Sequence, residues 1–306
     1  MKIFLTGGGG MVGNNIREHT AASNYTILAP RSSELNLLDQ HAVNDYIEAH
    51  RPDLVIHAAG TVGGIQANIA APVSFLSDNL KMGMNVLLGA RQAGVSRVLN
   101  IGSSCMYPRE APNPLRESSL LTGELEPTNE GYAIAKIACA RLCQYMTFEQ
   151  PSLMYKTVIP CNLYGRHDKF GETNAHMIPA VVRKISEAID ANADSVDIWG
   201  TGQARREFMY AGDLADFVFS AIPRFAMLPQ NMNVGLGYDY SIMDYYRTIA
   251  NVLGYQGQFT HDLTKPEGMS QKLVDITELQ KLGWKATTTL ESGIKKTFEF
   301  YRNGIC

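Results

Sequence analysis

Lys2-Ile3-Phe4-Leu5-Thr6-Gly7-Gly8-Gly9-Gly10-Met11-Val12-Gly13 decides the fold. A short apolar run ends on four glycines, and a helical pattern follows at once. Glycine allows positive φ in the turn and close backbone approach to a pyrophosphate. A helix that starts there offers unpaired N–H groups and a partial positive charge to an anion. The order strand, glycine turn, helix predicts a dinucleotide site around Gly7, Gly10, Met11, Val12 and Gly13.

The same alternation continues outward. Apolar runs at 25–29, 54–57, 97–101 and 156–159 read as strands. Helical patterns lie between them, at 12–20, from an Asp39 cap to about His50, at 73–92 and at 132–148. Strands separated by helices predict an α/β fold, a doubly wound parallel sheet of the Rossmann kind. After Tyr164 the pattern weakens, with prolines at 179, 223, 229 and 266 and short strand-like runs at 195–198 and 232–234. The expected division is a dinucleotide-binding domain at 1–165, with part of 206–235 returning to it. Residues 166–205 and 236–306 would form a smaller α/β substrate-binding lobe.

Composition narrows the function. The chain has 306 residues, 45% apolar and 19% charged, with a net charge of -3. No basic surface for a nucleic-acid backbone and no polybasic membrane signal is expected. The apolar run after Lys2 is too short for a secretory signal, and no stretch approaches the ~20 apolar residues of a membrane span. Five cysteines, at 105, 139, 143, 161 and 306, show no paired metal spacing. Reduced thiols, a cytoplasmic location and no metal follow as expectations. Cys139 and Cys143, four apart in a helical pattern, read as core.

The residues after the second strand choose the cofactor. An acidic group there would favour NAD. Pro30-Arg31-Ser32-Ser33 offers a cation and two hydroxyls, which suits the extra phosphate of NADP. Glu34 could compete with that phosphate. Asp39 either reaches the adenine or only caps its helix.

Further on, Ser103 follows a strand, and Tyr132 and Lys136 lie four apart on one helix face. A phenol titrates near ~10, and a nearby ammonium would bring it toward neutral pH. Together they form a device for moving a proton at a carbonyl.

With these motifs the chain resembles the extended short-chain dehydrogenase/reductase family. The resemblance rests further on Leu35–Asp39, Val62-Gly63-Gly64-Ile65, Gly102-Ser103-Ser104-Cys105-Met106-Tyr107-Pro108, Glu126–Glu130 and Asn162-Leu163-Tyr164-Gly165. It implies an NADPH-dependent 3,5-epimerase/4-reductase acting on a GDP-linked 4-keto-6-deoxy sugar. GDP-4-keto-6-deoxy-D-mannose, converted to GDP-L-fucose, is the first expectation. A GDP-4-keto-6-deoxy-heptose, a 3,6-dideoxy hexose of the GDP-colitose type, or reduction without epimerisation stay open. The resemblance assigns Ser103, Tyr132 and Lys136 to reduction, Cys105 as base and His176 as acid. It places Lys184, Trp199, Arg206 and Lys272 on the GDP-sugar, and implies a homodimer through helices 73–92 and 132–148. His57 and His167 read as structural. The chain departs from the family where Lys184 replaces a frequent arginine, where no arginine stands near Gly9, and where Arg166 follows Gly165.

Overall fold

The computed structural model describes residues 1–171, 175–264 and 268–304. Pro266 and Cys306 lie outside the described residues. The main sheet contains β1 (Lys2–Thr6), β2 (Thr26–Leu28), β3 (Leu54–His57), β4 (Arg97–Ile101), β5 (Met154–Pro160) and β6 (Asn231–Val234). Every pairing in it is parallel, in the order β6-β5-β4-β3-β1-β2. The chain leaves β1 in one direction to β2 and returns on its other side as β3. That reversal opens a crevice beyond the strand ends, where α/β sheets take their ligands.

Helices cover both faces. They are α1 (Met11–Glu18), α2 (Gln40–His50), α3 (Pro72–Gln92), α4 (Glu130–Glu149) and α6 (Ala211–Ala221), while α5 (Met177–Asp190) belongs to the second lobe. Asp39 starts α2 by accepting from the His41 and Ala42 amides. Pro72 opens α3, where the missing N–H costs nothing. Buried Ile3, Leu5, Ile56, Leu99 and Ile101 meet one helical layer, and Phe4, Val55 and Val98 meet the other. This strict alternation is what a sheet buried on both sides requires.

The second lobe is assembled from short pieces. Residues 195–199 pair with 258–262, and 162–164 pair with 208–210. Arg205–Arg206 lies between Tyr240–Ser241 and Gln271–Lys272. Around them pack α5, α7 (Ile242–Leu253) and α8 (Leu290–Gly304). Their shared core includes Tyr164, Val181, Val182, Ile185, Tyr245 and Ile294. Among the described residues, no helix is long and apolar enough to cross a membrane.

Candidate active site

A cleft of about 1200 Å³ runs along the rim where the parallel strands end, and the second lobe closes its far side. Gly7 holds φ +70° there, and a Cβ on it would stand 2.7 Å from the Ala59 backbone. The turns after β1 and β3 therefore touch, and only glycine fits between them. Among the described residues, no side chain caps α1 at Gly10. Its first-turn amides, at Met11, Val12 and Gly13, remain for an anion. A Cβ at Gly9 would meet nothing within 4 Å, so the turn faces open space. These residues fit a dinucleotide pyrophosphate.

Arg31 and Ser32 line the same cleft. Glu34 Oε2 accepts from the Arg31 amide at 2.7 Å, which directs the carboxylate to the backbone. Asp39 accepts from the His41 and Ala42 amides at the start of α2, and the cleft lining stops one residue before it, at Leu38.

Ser103, at the end of β4, caps a short helical turn by accepting from the Cys105 amide at 3.2 Å. Its hydroxyl also acts on the Tyr132 phenol, favouring the ionised form. Lys136 Nζ donates to the last carbonyl of β4, Ile101 O, at 2.9 Å and lies 5.8 Å from the Tyr132 ring centre. Burial pushes the Tyr132 phenol up, Cys105 adds to the rise and Ser103 opposes it. The expected lowering by Lys136 is not seen: burial dominates, and the ammonium is turned to the Ile101 carbonyl. Burial also pushes the Lys136 ammonium down. A phenol held protonated beside a serine hydroxyl is suited to giving its proton to a carbonyl oxygen.

Cys105 lies half-buried in the same cleft. Its sulfur accepts from Asn129 Nδ2 at 3.3 Å and from Lys272 Nζ at 3.4 Å. His176 sits at the N-terminus of α5, with Nδ1 3.4 Å from Asp168 Oδ1. The Asp168 side chain is buried, and its Oδ2 has no hydrogen-bond partner among the described residues.

The four residues expected on the GDP-sugar all line the cleft, in different circumstances. Lys184 is paired with Asp197 Oδ1 at 2.9 Å. Trp199 ends its strand with 43% of its surface exposed. Arg206 donates to the Arg205 carbonyl at 2.8 Å, and burial works against its charge. Lys272 points to the Cys105 sulfur. Outside the cleft lining, His57 shares a hydrogen bond with Thr6 Oγ1, and His167 one with Glu18. Burial holds the His57 imidazole down to about 3.

The sequence alone does not single out Asn129 or Asp168. Asn129 lies in the segment 126–130, whose pattern marks it. Asp168 carries no local signal, since its relation to His176 depends on the loop between them.

Residues 3–235 match the NAD dependent epimerase/dehydratase family. GDP-L-colitose synthase of Yersinia pseudotuberculosis is 54% identical over 303 residues, covering 99% of this chain and 98% of that protein. GDP-L-fucose synthase of Azorhizobium caulinodans is 46% identical, covering 99% and 97%. Among solved structures, a GDP-mannoheptose C4 reductase from Campylobacter jejuni with NADP bound superposes with a TM-score of 0.88 at 30% identity, covering 98% of each chain. With its glycine turn, parallel sheet and Ser103–Tyr132–Lys136 group, the chain belongs to the NAD dependent epimerase/dehydratase family of enzymes.

Proposed function

We propose that the protein is an NADPH-dependent oxidoreductase that epimerises and reduces a GDP-4-keto-6-deoxy sugar. The observation that carries this reading is the convergence of Ser103, Tyr132, Cys105 and His176 on one cleft beside a dinucleotide turn. The relatives' names support the substrate class. NADPH, when bound, supplies the hydride to C4. Gly7–Gly13 would hold its pyrophosphate, Arg31 and Ser32 its extra phosphate, and Lys136 its nicotinamide ribose. Tyr132 gives its proton to O4, while Ser103 positions that oxygen. Cys105 takes an α-hydrogen as a proton from one face, and His176 returns one from the other. The charge formed meanwhile on the ketone oxygen meets the Ser103 and Tyr132 hydroxyls.

Among substrates, we place a 3,6-dideoxy sugar of the colitose type ahead of the fucose precursor. The higher identity to the colitose synthase favours it. Such a sugar has no configuration at C3, so inversion at C5 alone would complete the epimerisation. The test supplies NADPH and either GDP-4-keto-3,6-dideoxy-D-mannose or GDP-4-keto-6-deoxy-D-mannose in heavy water. Faster turnover of the dideoxy sugar, with deuterium at C5 of the product, is expected. Preference for the 3-hydroxylated sugar would restore the fucose reading. The exposed Val73, Met84 and Leu88 on α3, with Ile134, Tyr145 and Phe148 on α4, support a homodimer through these helices.

A further inference from the structure

We infer that Lys272 is a positioning residue for Cys105, a role distinct from the diphosphate contact expected of it. The inference rests on the proposed reading of Cys105 as the base. Lys272 Nζ lies 3.4 Å from the sulfur, although 167 positions separate the two residues in the chain. The backbone around Lys272 is fixed on several sides. Leu273 N donates to Asn113 Oδ1 at 2.8 Å, and Val274 N donates to the buried Glu207 carboxylate at 2.9 Å. Gln271 Nε2 donates to Asp239 Oδ2 at 2.6 Å. Leu115 N also donates to the Leu273 carbonyl at 2.8 Å. The ammonium is thus aimed from the second lobe into the site. Asn129 Nδ2 gives the sulfur a second donor at 3.3 Å.

Two donors, one of them cationic, fix where the sulfur sits. In the exchange step the Cys105 thiolate forms an S–H bond as the sugar's α C–H bond breaks. The C–H electron pair passes into the enolate, whose negative charge resides on O4. Lys272 acts on this step through Cys105.

The test is alkylation of Cys105 by iodoacetamide, located by peptide mass spectrometry, in the full-length protein without sugar. Lys272→Met should slow that alkylation at neutral pH by about tenfold, because the thiolate is the reacting form. Lys272→Arg should recover most of the rate. Affinity for GDP alone, measured by calorimetry, should stay within about threefold, as expected of a residue not engaged with the diphosphate. Unchanged alkylation in Lys272→Met, with circular dichroism showing a folded protein, would overturn the inference. If Lys272→Met does not fold, Lys272→Gln is read in the same way. None of these readouts needs sugar turnover. A failure of the substrate assignment would therefore leave them intact.

Discussion

The nucleotide half and the second lobe bury acidic and basic groups to opposite effect. Under the parallel sheet, His57 is kept neutral by burial and by Lys136. In the lobe, burial pushes the Glu207 carboxyl up to about 7, against three backbone amides that favour its charge. His57 is lowered in the folded state, so its contribution is present above its ordinary value and fades as pH falls toward about 3. Glu207 is raised, so its contribution is complete below its ordinary value and fades as pH rises to about 7. The first half sets its buried polar groups, among them Thr6, His57, Asn100, Thr157 and Asn233, singly on otherwise apolar strands. The second uses a buried carboxylate to gather strands too short to hold themselves. Its amide partners come from two segments, Leu236 with Gly237 in one and Val274 in the other.

The sharpest way to separate the halves is chemical. Tyr132→Phe removes the proton donor of the nucleotide half and leaves Cys105 and His176 in place. NADPH oxidation, followed at its absorbance maximum, should fall by about 10²–10⁴-fold. Deuterium exchange next to the ketone should fall by less, since Ser103 still meets the enolate oxygen; an equal fall would make the phenol as necessary to exchange as to reduction.

The next test acts on stability. Between pH 4.5 and 7, Glu207 should make unfolding easier by about 3 kcal/mol as pH rises. Denaturant titrations at several pH values would show the slope, and Glu207→Gln should flatten it. An unchanged slope in the variant would assign the effect to other groups.

Smaller effects probe the cofactor edge. Arg31→Ala should raise the KM for NADPH by about tenfold, with little change for NADH. Asp39→Ala should cost about 1 kcal/mol of stability through its lost cap, with NADPH affinity unaltered. A large loss of NADPH affinity would return Asp39 to the cofactor.

These contrasts also explain what could be read in advance. β1, β3 and β4 are bounded by apolar runs whose ends coincide with glycine, aspartate or serine, so local chemistry marks them. Asp39 announces α2 because a cap is a local device. The pairs Arg205–Arg206 and Gln271–Lys272 carry no such mark, since two residues have no period and their partners lie far away in the chain. The same distance hid the aim of Lys272. For Tyr132, the spacing to Lys136 was legible, but the burial that raises the phenol depends on the packed whole.

In the main sheet the turns after β1, β3 and β4 share one rim, and among the described residues the opposite rim carries the returns from helix to strand. Gly94, in the return between α3 and β4, holds φ +73° and has open space where a Cβ would stand. A reporter peptide or an affinity handle inserted at that return would sit a full strand length from the cleft. The enzyme could then be immobilised or labelled there with its chemistry facing outward.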